Sequence, residues 1–139
     1  MPYLKDYRLF ISHAWKYGDD YRRLVNLLDS ADYFHYMNYS APKERPLFPA
    51  GTPYTNSQIA NAITAKIRPS QVTLVISGMY VAYRDWIQYE IDESVRMGKP
   101  IIAIRPWGST MTPQYVANCA DEIVGWNTDS IVSAIRRNA

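Results

Sequence analysis

Two short runs in this chain carry almost no polar alternation: Val72-Thr73-Leu74-Val75-Ile76 and Ile101-Ile102-Ala103-Ile104. A strand with one wet face alternates apolar and polar residues, so a run without alternation implies a strand covered on both sides. Such strands belong to parallel sheets sandwiched between helices. Between the two runs lies a segment of helical spacing that stops after Met97, at Gly98-Lys99-Pro100. Glycine and proline together end a helix there.

The rest of the chain repeats the pattern. Tyr7 to Ser12 reads as a first strand, and Asp19 or Asp20 is placed to cap a helix with Leu24, Leu27, Leu28 and Ala31 inward. Tyr33 to Met37 is rich in aromatic, strand-favouring residues. Asn38 to Tyr54 contains Pro42, Pro46, Pro49, Gly51 and Pro53 and is expected to be a long ordered loop. Asn56 or Ser57 is expected to cap a helix that turns Ile59, Ala60, Ile63 and Ile67 inward and ends at Pro69. Beyond Ile104, the loop Arg105 to Gly108 leads to a short helix near Pro113 and an edge strand over Glu122-Ile123-Val124. A last helix is expected over Asn127 to Arg137, with Thr128 as its cap. Five strands alternating with helices fit a flavodoxin-like α/β sheet of order 2-1-3-4-5 in one domain, 1–139. In that order the chain reverses direction across the sheet between strands one and three. Residues just after Ser12 and just after Ser77 then share a crevice at the carboxyl ends of the strands.

Bulk properties narrow the function classes. A chain of 139 residues suits one domain, and 47% hydrophobic with 20% charged content describes a globular protein. A net charge of +2, from 15 basic and 13 acidic residues, gives no argument for nucleic acid. Cys119 is the single cysteine, sits in no metal-ligand motif, and reads as a reduced structural thiol. No signal-peptide pattern or membrane-spanning run is present, so the expected location is cytoplasmic, away from membranes. The 12 tyrosines and 4 tryptophans point to a half-exposed aromatic pocket or interface.

Within the crevice, Glu90 is the carboxylate best placed for chemistry. With Ile87, Ile91 and Val95 taken as the inward stripe, Glu90 falls about 60° to one side of Ile87 at helical spacing. Trp86 shares that flank, and Glu93 is expected further into solvent. A solvated helical glutamate is the plainer alternative. His13 follows the first strand and is placed to meet phosphate or ribose, although a lone histidine also serves structure. Ser12 or Ser77 beside His13 forms no recognisable nucleophile elbow, and the glycines lack dinucleotide and P-loop spacings.

Phe10-Ile11-Ser12-His13 resembles the first-strand signature of Toll/interleukin-1 receptor (TIR) domains. Asp85-Trp86-Ile87-Gln88-Tyr89-Glu90-Ile91 resembles the Trp-x-x-x-Glu helix of NAD-cleaving TIR domains, and Gly98 to Gly108 looks like the next strand of the bacterial TIR-like group. The resemblance points to the TIR-like component of Thoeris antiphage defence. It implies Glu90 as the catalytic residue, with Phe10, Ser12, His13, Ser77, Tyr80 and Trp86 around the substrate. It also implies NAD as substrate rather than cofactor, and cleavage of the nicotinamide–ribose bond. The product would be a cyclic ADP-ribose-type signal for a separate effector, released after an unidentified phage trigger. Homo-oligomer formation stays open, with assembly completing the pocket as one reading. Two other readings also stand: an inert TIR-like interaction module and a nucleoside 2-deoxyribosyltransferase-like enzyme.

Overall fold

The computed structural model of the chain describes residues 6–12, 19–39, 56–76, 84–105 and 114–139. Five strands, β1 (Asp6–Ile11), β2 (His35–Asn38), β3 (Val72–Ile76), β4 (Ile101–Ile104) and β5 (Glu122–Val124), alternate with helices along the chain. The helices are α1 (Asp19–Asp29), α2 (Asn56–Ile67), α3 (Arg84–Arg96), α4 (Gln114–Cys119) and α5 (Thr128–Asn138). The sheet order is β2-β1-β3-β4-β5 with every pairing parallel, as the two unalternating runs require. Leu9 lies opposite Val72, and Thr73 opposite Ile101.

The two-residue period of the strands assigns the layers. Leu9, Ile11, Val72, Leu74, Ile76, Ile102 and Ile104 face one side, where Leu24 and Leu28 of α1 and Ile131 and Ile135 of α5 cover them. Val75, Ile101 and Ala103 face the other side, against Ile87 and Ile91 of α3 and Val116 of α4. Phe10 shares that second layer but packs with Ile63 and Ile67 of α2. α3 therefore lies over the centre of the sheet, with α2 and α4 on its flanks. Among the described residues, no helix is long and apolar enough to cross a membrane.

Several boundaries differ from the sequence reading. β2 starts at His35 rather than Tyr33, because Tyr33 takes a left-handed φ of 55°, which no strand tolerates. Phe34 instead turns inward and stacks between Tyr7 and Tyr36, at centroid distances of 5.4 and 5.7 Å. Asp19 and Asn56 are the first helical residues of α1 and α2 rather than residues preceding them. The cap of α5 is Asn127, whose Oδ1 accepts from the Ser130 N–H at 2.8 Å. The Thr128 hydroxyl donates instead to the Leu27 carbonyl, tying α5 to α1. Most of the proline-rich stretch 38–54 lies outside the described residues, as do the segments 13–18, 77–83 and 106–113.

The end of α3 follows the sequence expectation in detail. Gly98 has φ +71°, its N–H donates to the Val95 carbonyl, and the Lys99 N–H reaches back to Ser94. This pair of bonds is the Schellman arrangement, which needs a left-handed residue after the helix. A Cβ at Gly98 would meet nothing within 4 Å, so only backbone strain opposes a side chain there. Gly98→Ala is accordingly expected to lower stability by about 1 kcal/mol. Urea unfolding midpoints measure this, and an unchanged or raised midpoint would contradict it.

Candidate active site

Glu90 is fully buried, although the sequence placed it on a flank of the helix, about 60° from Ile87. The reason is the inward face of α3. Ile87, Glu90, Ile91 and Ser94 are all buried, while Val95 is 55% exposed. At about 100° per residue, position 94 falls within about 20° of position 87, whereas position 95 falls about 80° away. Apolar spacing favours Val95 over Ser94 and so turns the expected stripe away from Glu90. The helix in fact centres its buried face nearer the carboxylate.

A second strand-end residue meets that carboxylate. Ser12, the first residue after β1, is 2% exposed, and its hydroxyl donates to Glu90 Oε1 at 2.8 Å. The backbone fixes Ser12 in turn, because its N–H donates to the Leu74 carbonyl of β3 at 2.8 Å. Ser12 thus stands where β1 and β3 adjoin, the point at which the strand order reverses. In open α/β sheets this is the usual position of a ligand crevice.

Glu90 is also held through its backbone. The Ser94 hydroxyl donates to the Glu90 carbonyl at 2.8 Å, and Thr73 Oγ1 lies 2.7 Å from Ser94 Oγ. Since the single Ser94 proton is committed to the carbonyl, Thr73 is the donor in that second contact. Among the described residues the buried polar side chains are Ser12, Ser70, Thr73, Glu90 and Ser94. All but Ser70, which bonds the Ile67 carbonyl at the end of α2, belong to this one connected set. Burying an ionised carboxylate costs several kcal/mol unless donors offset the loss of water. A fold that needed only packing here would do better with an apolar side chain.

The other predicted site residues divide into two groups. Phe10 is 3% exposed and packs against Ile63, Ile67, Tyr89 and Met97, a position that gives its ring a packing role. His13, Ser77 and Tyr80 lie outside the described residues. Trp86 belongs to α3, four residues before Glu90, but its side chain also lies outside them. Thr73 and Ser94 were not singled out from the sequence. Two signals existed: Thr73 is the one polar residue in the third strand, and Ser94 lies seven residues after Ile87.

Beside this site, α2 and α3 are clasped by polar contacts. The Tyr89 hydroxyl lies 2.7 Å from Thr64 Oγ1 and 3.1 Å from the Ala60 carbonyl, and Thr64 donates to Glu93 at 3.0 Å. Glu93 is therefore not the solvated residue that the sequence predicted. Its side chain is 14% exposed, and the Arg96 guanidinium grips it at 3.0 and 2.7 Å. Arg96 lowers the Glu93 carboxyl below the usual carboxylate range, burial opposes that shift, and the Thr64 hydroxyl assists it. Glu122 is lowered likewise, chiefly by hydrogen bonding to Arg137. Burial pushes the Cys119 thiol up, and the nearby Asp92 charge adds to the rise. The Tyr115 hydroxyl, which also bonds Asp92, opposes it. A thiol so disfavoured as thiolate suits a structural role.

These shifts predict an acid-range stability profile. A carboxyl lowered in the folded state stabilises the fold above its ordinary pKa of about 4.3, and that contribution is lost as pH falls through the lowered value. Thermal midpoints are therefore expected to fall as pH drops below about 4. Glu93→Gln, which has no charge to lose, should lessen the fall. An equal fall in wild type and variant would remove Glu93 from the explanation.

A family model for the TIR-like domain of the Thoeris protein ThsB matches residues 10–111, a span that contains both Ser12 and Glu90. Among solved structures, the chain is similar to a conserved protein from Enterococcus faecalis V583. Identity there is 11% and the TM-score 0.63, covering 97% of this chain and 100% of that one. It is also similar to a CMP N-glycosidase from Clostridium botulinum, at 12% identity and TM-score 0.53, with 95% and 99% covered. At these identities the likeness is one of fold. No curated protein gives a significant match.

Proposed function

The chain belongs to the TIR-like domain family of the antiphage-defence protein ThsB of Thoeris, and from that premise we propose that it cleaves the nicotinamide–ribose bond of NAD. The observation that carries the proposal is the buried Ser12–Glu90 contact beside the β1–β3 junction. As the C1′–N bond breaks, its electron pair leaves with nicotinamide, which departs neutral, and positive charge develops on the ribosyl ring. The Glu90 carboxylate stabilises that charge, and no acid is needed to protonate the leaving group. His13, Ser77, Tyr80 and Trp86 are proposed to line the substrate side, with Trp86 offering a ring for stacking.

Water capturing the ribosyl cation would give ADP-ribose. Capture by a nucleophile of the same molecule would give a cyclic ADP-ribose-type product, the outcome favoured by a site that excludes water. In this reading the cyclic product diffuses to a separate effector, and a phage-derived trigger or assembly of several copies switches the activity on. NAD is substrate throughout, and the chemistry calls for no cofactor. A second reading, cleavage of a nucleoside monophosphate, is supported by the fold likeness to a CMP N-glycosidase. Incubation of the purified protein with NAD and, separately, with CMP, followed by mass analysis, tests both. Nicotinamide with an ADP-ribose-mass or cyclic product supports the first, and free cytosine supports the second. Release of neither base, even with phage-infected lysate added, would favour an inert interaction module.

A further inference from the structure

Glu90 is held at two points by hydroxyls from the two central strands. Ser12 from the end of β1 donates to its carboxylate, and Thr73 from β3 acts through Ser94 on its backbone carbonyl. We propose that Ser12, Thr73 and Ser94 are positioning residues, which fix the Glu90 carboxylate against the sheet without themselves touching substrate.

The geometry supports this in three ways. The Ser12 hydroxyl has one proton, and it is directed at Oε1, so it orients the carboxylate. The hydroxyl protons of Thr73 and Ser94 are both committed within the protein, that of Thr73 to Ser94 and that of Ser94 to the Glu90 carbonyl. Their hydroxyls pin the helical turn that begins at Glu90, because Ser94 bonds the carbonyl four residues back and Thr73 holds Ser94 to the strand. The strand is itself fixed at that level, since the Thr73 N–H donates to the Pro100 carbonyl at 2.9 Å. Thr73 thus sets both the height and the rotation of α3 where it presents Glu90. A charged group must be held to within about 0.5 Å to stabilise a developing charge, so loss of such support lowers turnover before it lowers binding.

The proposal rests on the glycosidic-cleavage reading above, and the test separates the two. Nicotinamide release from NAD is measured for wild type, Ser12→Ala, Thr73→Val, Thr73→Ser, Ser94→Ala and Glu90→Gln, with thermal unfolding of each. The expected result is a kcat about ten-fold lower for Ser12→Ala, Thr73→Val and Ser94→Ala, with KM within about two-fold of wild type. Thr73→Ser, which keeps the donor and loses only a methyl, should return to within about three-fold of wild-type kcat. Should Thr73→Val fail to fold, Ser94→Ala and Thr73→Ser decide the question. Unchanged kcat in folded variants overturns the positioning role while an inactive Glu90→Gln leaves the cleavage reading standing. A raised KM at constant kcat for Ser12→Ala would make Ser12 a substrate contact and also overturn it. Thr73→Ser as impaired as Thr73→Val would assign the effect to packing. Equal nicotinamide release by wild type and Glu90→Gln would overturn both ideas.

Discussion

Leu74→Ala is expected to lower the unfolding free energy by about 2–5 kcal/mol, the usual cost of cutting a buried leucine to alanine. Leu74 is fully buried on β3, the middle strand of the sheet, and faces the layer closed by α1 and α5. It belongs to the core cluster that holds buried residues of both helices, and little of the resulting cavity can collapse between rigid elements. Against a total stability of about 5–15 kcal/mol, that loss would shift the thermal midpoint by roughly ten degrees or more. Val95→Ala, at a side chain 55% exposed, should change stability by no more than about 0.5 kcal/mol. Urea and thermal unfolding of the two variants report this contrast. Equal losses would mean that α3 is turned differently on the sheet.

That contrast also shows what was legible in the sequence. The runs 72–76 and 101–104 gave the parallel sheet, because only strands covered on both faces dispense with polar alternation. The order 2-1-3-4-5 follows from five strands alternating with helices, and it brings the end of β1 towards α3. The rotation of α3 was less legible. Its buried face includes a serine and a glutamate, and a reading that seeks apolar spacing passes over both. Tyr33 raised a similar difficulty at β2, where aromatic character suggested a strand and a left-handed backbone prevented one. Polar residues buried against their usual preference mark the candidate site. For that reason periodicity alone leaves Glu90 open to reading as a solvated helical glutamate, and the family resemblance is what points to it.

Glu90→Gln is expected to lower the rate of NAD cleavage by about 10²–10³, the scale of removing one preorganised electrostatic contribution. The substitution keeps the side-chain length and an oxygen that can accept the Ser12 hydrogen bond. Glutamine and glutamate also have similar helix propensity, so the fold should persist. Glu93→Gln, one turn further along α3, should behave in the opposite way. Its carboxylate serves Arg96 and Thr64 rather than the Ser12 site, so activity should remain while part of the acid-range stability profile is lost. A purely structural Glu90 would predict the reverse pairing, with stability falling and no change in activity per folded molecule.

The most direct measurement is nicotinamide release from NAD by wild type, Glu90→Gln and Glu93→Gln under identical activating conditions. Circular dichroism should accompany it to confirm that each protein is folded. If Glu90 stabilises the developing charge, wild type and Glu93→Gln release nicotinamide and a folded Glu90→Gln does so at least about a hundred-fold more slowly. Wild-type release rates from folded Glu90→Gln would contradict it.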